Sequence, residues 1–314
     1  LDTAERVGIR LIVSCPELET EPEATVRRFM NHPATAGSFL RDEPSADDFA
    51  ALGAWAARIR ATDDAHYCYL NLFPNYAPCE TLKTDSYREY VNRFDREVPL
   101  QLLSFDHYPV VGDTCRPEWY ENLEIFSDEA RKAGKPFWAF ALATAHKPYP
   151  IPDLAQLRLQ VYSDLAYGAQ GIQYFTYWTP EKNPTWDFHH APVERSSGRR
   201  TDVYDKIKQM NAEIRALSGV FLGCDGLHIP HHLPDERVIV QFFRLCHLTV
   251  HNLALGQGLP DSNRVHIVKA VLFFLGIEAV LLDELGDPAL YFGPRHIARC
   301  AICRDGKGRQ SIAV

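Results

Sequence analysis

The sequence has few of the features that mark nucleic-acid-binding, membrane-spanning or metal-dependent proteins. Lys and Arg (33 together) are outnumbered by Asp and Glu (41), and the net charge of −8 argues against nucleic acid or an anionic membrane as the main partner. The longest apolar tract, 265–282, contains Lys269 and Glu278 and is too short and too charged to predict a membrane span. Neither an HExxH nor an HxH pattern occurs among the 13 His residues, so no metal site is predicted.

The eight cysteines show neither a disulfide framework nor a complete zinc motif. Cys300 and Cys303 form a single CxxC without a second pair, and other cysteines fall in apolar runs, where Cys packs as a small apolar residue. No Gly-rich phosphate loop follows an early strand, which argues against a doubly wound nucleotide-binding fold. We therefore expect no cofactor, and the redox compartment stays open.

What the sequence does contain is a regular alternation of apolar runs and amphipathic helical patterns. Continuous apolar runs are typical of strands buried on both faces, as in a parallel sheet covered by helices. We predict an α/β fold, a (β/α)8 barrel over residues 1–222, followed by a small β-rich segment over 223–314. The predicted strands are 9–15, 37–40, 66–73, 100–105, 136–143 and 171–177. The predicted helices are 21–31, 45–59, 84–94, 117–132, 154–167 and 201–217.

Polar and aromatic residues cluster directly after these strands and before the following helices. In a (β/α)8 barrel all such positions meet at the C-terminal face, where active sites lie. The stretch Arg41-Asp42-Glu43-Pro44 ends the second run, and the proline prevents further ladder pairing. A carboxylate in this place is held rigidly and faces the barrel mouth. The competing interpretation is a surface turn with a salt bridge between Glu43 and Arg41.

Three stretches carry a family resemblance: 39–44 (FLRDEP), 104–109 (SFDHYP), and a helix-to-strand segment at 157–178 that ends in an aromatic pair. They resemble the ends of barrel strands 4, 6 and 8 of clan A glycoside hydrolases, nearest to the family 42 β-galactosidase type. By this register the six strands are barrel strands 3 to 8. Because no candidates for strands 1 and 2 are visible upstream, we expect the chain to be incomplete at its N-terminus.

The resemblance implies hydrolysis of O-glycosidic bonds, with Glu43 as the general acid/base. The sequence departs from the family pattern in two places: the strand over 136–143 is not followed by the Glu that serves as nucleophile in this clan, and Asp42 replaces the Asn that usually precedes the acid/base. A mechanism with paired glutamates therefore cannot be carried over.

Asp106, after the fourth strand, is the favoured second carboxylate, with Glu181 and Glu17 as weaker candidates. A separation of about 5 Å from Glu43 would indicate retention, and one of about 6.5–9.5 Å inversion. The alternative is that Asp106 only orients its neighbours. The side chains expected to bind the sugar are Asp42, Asn71, Asn75, Tyr76, His107, Tyr108, His146, Tyr177, Trp178 and Trp186.

The predicted partner is an oligosaccharide or glycoside, and the sequence leaves open whether the chain forms a homo-oligomer. Two other functions compete with hydrolysis. One is a catalytically inactive barrel that binds carbohydrate, suggested by the missing Glu after the strand over 136–143, and the other is a metal-dependent or lyase-type barrel enzyme. The segment 223–314 also has two alternatives, since its strands could complete the barrel by circular permutation or form a foreign tail.

Overall fold

The computed structural model describes residues 1–222 and four short strands between residues 279 and 313. The chain divides into two units, Leu1–His231 and His232–Val314. Residues 223–278 of the segment predicted to be β-rich, and Cys300, lie outside the described residues. Within the described part, no helix is both long and apolar enough to cross a membrane.

The first unit is built on parallel strands that neighbour each other in the order of the sequence. Strands β1, β2 and β3 pair in parallel, and so do β4, β7 and β8. A parallel bridge between Leu72 and Phe105 joins β3 to β4, with the amide of Leu72 donating to the carbonyl of Ser104 at 2.9 Å. The strands are β1 (Leu11–Val13), β2 (Thr35–Asp42), β3 (Tyr67–Asn71), β4 (Leu103–Asp106), β7 (Phe137–Leu142) and β8 (Gly171–Phe175), with a hairpin β5 (Val110–Val111) and β6 (Thr114–Cys115) after β4.

A helix lies between each pair of consecutive parallel strands, and a further helix follows β8. The helices are α1 (Asp2–Arg6), α2 (Glu17–Thr20), α3 (Pro22–Phe29), α4 (Phe49–Thr62), α5 (Cys79–Leu82), α6 (Tyr87–Glu97), α7 (Trp119–Ala133), α8 (Leu154–Ala166) and α9 (Asp202–Phe221). This sequential order of parallel β/α units is that of a (β/α)8 barrel and not of a doubly wound sheet, whose strand order reverses. The predicted α/β barrel class is confirmed.

Local sequence signals fix where several helices begin and end. Ser45 and Asp48 form a capping box at the turn that leads into α4. Asp153 accepts from the backbone amide of Gln156 at 2.7 Å, and the side chain of Gln156 accepts from the amide of Asp153 at 3.0 Å, so α8 begins with a second capping box. Gly134 adopts the left-handed conformation that ends α7.

An aromatic core lies between the sheet and the helices α4, α6 and α7. Phe105 of β4 packs on Phe126 of α7 with ring centroids 4.3 Å apart, and Phe49 of α4 contacts Tyr90 and Phe94 of α6 at 5.3 and 5.5 Å. These five side chains are fully withdrawn from solvent. Burial of large aromatic side chains on one side of the sheet holds the strand ends in fixed positions.

Strand boundaries differ from the prediction at two functional positions. Strand β2 continues to Asp42, two residues beyond the predicted end, because Asp42 pairs with Asn71 of β3 after a register shift that follows Phe39. Strand β8 ends at Phe175, so Tyr177 and Trp178 belong to the loop that follows it.

The second unit contains four described strands in two antiparallel pairs. Strand β9 (Ala279–Leu281) pairs with β10 (Leu290–Phe292), and β11 (Ala301–Arg304) pairs with β12 (Gln310–Ala313). The end of the tract 265–282 is therefore a strand. The predicted domain boundary at residue 222, and a β-rich domain over 223–314, stay predictions.

Two helical glycines provide a test of the helix packing. A Cβ atom added at Gly53 of α4 would overlap the backbone carbonyl of Glu97 at the end of α6, whereas one added at Gly219 of α9 would meet no atom within 4 Å. We expect Gly53→Ala to lower the free energy of unfolding by about 1–3 kcal/mol through overpacking. Gly219→Ala should raise it by about 0.4–1 kcal/mol, because alanine favours the helix. Urea denaturation of both variants measures the difference, and equal stability would show that α4 and α6 are not in close backbone contact.

Candidate active site

Glu43 lies directly after β2 in a backbone conformation that non-glycine residues rarely adopt. Its φ angle is 45°, in the left-handed region. The amide of Glu43 donates to the carbonyl of Asn71 at 2.9 Å, and the hydroxyl of buried Tyr90 donates to the carbonyl of Pro44 at 2.6 Å. Such a conformation costs about 1–3 kcal/mol and persists only where neighbouring contacts hold it. The contacts of Asn71 and Tyr90 on either side of the strained residue do so here.

The side chains of Glu43 and Asp106 affect each other's pKa through their charges and a side-chain hydrogen bond. Burial, the charges of Asp106 and Asp42, and this hydrogen bond together raise the pKa of Glu43 to about 8. Burial and the charge of Asp42 raise the pKa of Asp106 to about 6, against the lowering effect of Asn71 and of the hydrogen bond with Glu43. Near neutral pH the pair therefore holds one proton, preferentially on Glu43.

Asn71 lies between the carboxyl groups of neighbouring strands. Its side-chain amide donates to Asp106 Oδ1 at 2.7 Å and to Asp42 Oδ1 at 3.2 Å. Asp42 is exposed at the end of β2, but the protein atoms around its carboxyl group withdraw it from water enough to raise its pKa. The sequence-predicted residues Asp42, Glu43, Asn71 and Asp106 thus form one polar group, which we call the carboxyl cluster.

A chain of buried hydrogen bonds fixes which way the Asn71 amide points. Ser104 Oγ donates to Asn71 Oδ1 at 3.0 Å, and Gln173 Nε2 donates to Ser104 Oγ at 3.0 Å. The hydroxyl of Tyr69 lies 2.8 Å from Gln173 Oε1 and 2.9 Å from Ser104 Oγ. With its oxygen occupied by Ser104, Asn71 presents its two amide protons to the carboxylates. Sequence reasoning missed Tyr69, Ser104 and Gln173, although each is a polar residue inside an apolar strand.

The end of β7 carries no carboxylate, as the sequence predicts. Thr144 follows the strand, and its hydroxyl oxygen accepts from the amide of Thr176 at 2.9 Å. His146 lies further along, with Nδ1 3.1 Å from the carbonyl of Thr144. Burial lowers the pKa of His146, so the imidazole is neutral near pH 7 and does not replace the lost negative charge.

His146 belongs to a cluster of aromatic rings beside the sheet. Its ring centroid lies 4.9 Å from that of Tyr149, 4.8 Å from Phe188 and 5.5 Å from Trp186. Trp186 is 42% exposed, whereas His146 is 5% exposed. The tryptophan could therefore offer a ring face to a sugar, and His146 has little surface with which to meet one.

Tyr177 and Trp178 form an exposed aromatic pair on the loop after β8. They are 65% and 46% exposed, with ring centroids 6.2 Å apart. Two backbone hydrogen bonds with Val193, from the amide of Thr179 and to the carbonyl of Tyr177, anchor this loop. Large exposed apolar rings on an anchored loop suit the predicted stacking on the C–H face of a sugar.

Asn75, His107 and Tyr108 are engaged in contacts within the protein. The side chain of Asn75 donates to the carbonyl of Glu118 at 3.0 Å and pins a loop. His107 is fully buried against Trp119 with ring centroids 4.9 Å apart, and burial lowers its pKa to about 3. Tyr108 is 8% exposed and packs on Phe175 at 6.1 Å. Their direct contact with a sugar stays a prediction for which these side chains offer little exposed surface.

The remaining charged candidates are engaged elsewhere. Glu181 is 76% exposed and pairs with Arg195 at 3.0 Å. Glu17 begins the short helix α2. Arg41 pairs weakly with Glu19 at 3.5 Å and Asp48 at 3.4 Å, so the proposed surface salt bridge with Glu43 is not formed. Among the described residues, no group of three or more His, Cys, Asp or Glu has the arrangement of a metal site.

A family model described as β-galactosidase, glycoside hydrolase family 42, matches residues 66–217. The chain resembles family 42. The match confirms the resemblance seen in the sequence and runs from β3 to α9, so that it includes Asn71 and Asp106. Glu43 precedes the matched stretch, and its placement in the site rests on the geometry described above.

Solved glycoside hydrolases show a distant likeness to the chain. A protein from Bacteroides thetaiotaomicron, provisionally named an α-L-fucosidase, is 10% identical with a TM-score of 0.44 and covers 62% of each chain. The β-galactosidase from Marinomonas ef1 is 13% identical with a TM-score of 0.43, covering 55% of this chain and 27% of that one. An endo-β-1,3-glucanase of family 128 from Sorangium cellulosum is 16% identical with a TM-score of 0.42, covering 66% and 82%.

The chain spans less than two thirds of the length of the first two of these structures. No curated protein matches the chain.

The raised pKa of Glu43 predicts a pH-dependent loss of stability. A carboxyl group that titrates near 8 when folded and near 4.3 when unfolded binds more protons in the folded state between these values, so stability falls as pH rises. Glu43→Gln removes this titration. We expect the free energy of unfolding of Glu43→Gln, relative to the unaltered protein, to increase from pH 5 to pH 8.

Urea denaturation at several pH values measures this difference. Glu121→Gln, at an exposed position on α7, is the matched control and should show no trend. A pH-independent difference for Glu43→Gln would show that Glu43 titrates normally.

Proposed function

We propose that the protein hydrolyses O-glycosidic bonds, with Glu43 as the general acid. The observation that carries the proposal is the carboxyl cluster: Asn71 donates to Asp106 and Asp42 at the C-terminal ends of neighbouring parallel strands, and the amide of Glu43 donates to the carbonyl of Asn71. A general acid must hold its proton near neutral pH, and a pKa of about 8 achieves this for Glu43. The family 42 match over residues 66–217 supports carbohydrate as the substrate class.

In the proposed reaction Glu43 donates its proton to the glycosidic oxygen as the bond to the anomeric carbon breaks. Positive charge then develops on the sugar ring, and the ionised carboxylates of Asp106 and Asp42 stabilise it electrostatically. Water adds to the anomeric carbon, and its proton passes to the carboxylate of Glu43. The aglycone leaves as an alcohol, and the acid is restored for another turnover.

The spacing of the two carboxyl groups shapes the role proposed for Asp106. Retaining enzymes place their carboxyl groups about 5–5.5 Å apart and inverting enzymes about 6.5–9.5 Å apart, on opposite faces of the sugar. Glu43 and Asp106 act on each other's pKa and both belong to the carboxyl cluster around Asn71, which gathers them on one side of the site. We therefore assign Asp106 to the same side of the sugar as Glu43, where it holds the acid in place, and do not assign it as a nucleophile across the ring.

The vacant position after β7 supports a second candidate, a barrel that binds carbohydrate without cleaving it. The sequence from Leu142 to His146 offers no carboxylate to stabilise the anomeric carbon from that side. The exposed rings of Tyr177, Trp178 and Trp186 would serve binding equally well. Turnover separates the two candidates, since only hydrolysis needs the proton of Glu43.

The first test compares Glu43→Gln with the unaltered protein on two galactosides that differ in leaving group. Galactosides are chosen because the matching family model is that of β-galactosidase. For an alkyl galactoside, whose alkoxide must be protonated as it leaves, we expect kcat/KM to fall about 10²–10⁴-fold. For a dinitrophenyl galactoside, whose phenolate leaves without a proton, the loss should be much smaller.

Equal losses on both galactosides would remove Glu43 from the role of acid. Absence of turnover on every glycoside tested, with oligosaccharide binding retained, would favour the inactive binding barrel. Gln156→Ala alters the capping box of α8 and serves as a control for general damage to the fold.

The second test is the pH profile of kcat/KM. Activity requires Asp106 ionised and Glu43 protonated, so we expect a bell with limbs near the macroscopic pKa values of the pair, about 6 and about 8. Asp106→Asn removes a negative charge beside Glu43, lowers the pKa of Glu43 and should move the basic limb to lower pH. An unmoved basic limb would show that Asp106 does not interact with the acid.

A further inference from the structure

Arg116 lies on the loop after the β5–β6 hairpin, at the same end of the sheet as the carboxyl cluster. Its amide donates to the carbonyl of Pro109 at 2.7 Å, which closes the hairpin that follows Asp106. None of the sequence motifs that predicted the site includes this arginine.

Aromatic residues of two other loops hold the guanidinium in place. Its central carbon lies 4.2 Å from the ring centroid of Tyr76 and 5.8 Å from that of Tyr149. Nη2 donates to the hydroxyl of Tyr149 at 3.2 Å. Tyr76 follows β3 and Tyr149 follows β7, so the cation is fixed by elements on both sides of its own loop. Stacking on aromatic faces is worth about 0.5–2 kcal/mol and orients the guanidinium plane.

The guanidinium has no anionic partner. No carboxylate of the described residues lies within ion-pair distance of Arg116, and its Nε is buried without a hydrogen-bond acceptor. Among residues 1–222, Nη1 donates to no group, and Arg116 as a whole is only partly buried. A partly buried cation that lacks an anion is costly, and the cost falls when an anion binds.

Tyr76 connects Arg116 to the carboxyl cluster. Its ring meets the ring of His107, the residue directly after Asp106, edge-on with centroids 4.9 Å apart, and the guanidinium of Arg116 lies over the same ring. Tyr76 therefore contacts both Arg116 and the residue that follows Asp106. A substrate whose scissile bond meets Glu43 would extend past Tyr76 towards Arg116.

We propose that Arg116 is a subsite for an anionic substituent of the glycan, a carboxylate or a sulfate ester on a sugar next to the scissile bond. This proposal rests on the proposed function for the position of the scissile bond. An anionic sugar is repelled by Asp42 and Asp106, and Arg116 offsets that repulsion at the place where the charge would lie. Nη1 donates to the anion, while Tyr76 and Tyr149 hold the guanidinium in the orientation that permits this.

The test measures binding by calorimetry in the Glu43→Gln background, so that it does not depend on turnover. The probes are galacturonic-acid, galactose-6-sulfate and unmodified galactose disaccharides of one linkage. We expect the anionic sugars to bind about tenfold more tightly than the neutral one. A charge-assisted hydrogen bond to Arg116 strengthens their binding, and the loss of water from the anion offsets part of this gain. The carboxylate and sulfate arms identify which anion the subsite prefers.

The variants are Arg116→Met and Arg116→Lys. Arg116→Met should abolish the preference for anionic sugars and leave affinity for the neutral sugar within about twofold. Arg116→Lys should keep part of the preference, because lysine retains the charge but not the planar stacking group. Arg200→Met is the matched control. Arg200 lies on the loop before α9, and its guanidinium stacks on the ring of Tyr204 at the same distance of 4.2 Å.

Three results would overturn the subsite: equal affinity for anionic and neutral sugars, an equal loss for both in Arg116→Met, or the same loss of preference in Arg200→Met. An equal loss for both sugars would mean that Arg116 only holds the loops together. Turnover of neutral glycosides without anion preference removes the subsite and leaves the hydrolase. Anion preference without turnover removes the hydrolase and leaves the subsite.

Discussion

The carboxyl cluster depends on the amide of Asn71, because negative charges at neighbouring strand ends repel each other unless a donor lies between them. Glu43 follows β2, Asn71 ends β3 and Asp106 ends β4, so the donor stands on the middle strand of three. Its contacts with Asp106 and Asp42 keep both groups nearer to ionisation than burial alone would allow. The proton that the cluster retains is thereby left to Glu43, which receives no such donor from Asn71.

This arrangement is unfavourable in itself and is held by the core beneath it. A left-handed residue and partly desolvated carboxyl groups each destabilise the folded state. Tyr90 connects the aromatic core to the carboxyl cluster. Its ring packs against Phe49 in the core, and its hydroxyl donates to the carbonyl of Pro44, the residue directly after Glu43. The site is thus an example of strain supported by a rigid layer of packed aromatic side chains.

The sequence predicted the order of strands and helices and the meeting of Asp42, Glu43, Asn71 and Asp106, because each lies at a strand end and parallel strands end at one edge. It did not predict the chain from Gln173 through Ser104 to Asn71, which joins residues 69 and 33 positions apart. His107 and Asn75 also follow strands. The side chain of His107 is buried in the core, however, and that of Asn75 donates to the carbonyl of Glu118. A position after a strand predicts which edge a residue occupies, whereas the direction of its side chain depends on partners distant in sequence.

Because no carboxylate follows β7, the C-terminal ends of the strands form two chemically different sides. The side formed by β2, β3 and β4 carries the carboxyl groups and their proton, while the side formed by β7 and β8 carries neutral His146 and the exposed rings of Tyr177, Trp178 and Trp186. In the proposed reaction, a cation that forms on a sugar between them would meet negative charge from one side only. The negative charge of Asp106 and Asp42 then has to act from beside the acid. On this proposal, the carboxylates of Asp42 and Asp106 lie beside Glu43 and take the place of a single carboxylate on the opposite side of the sugar ring.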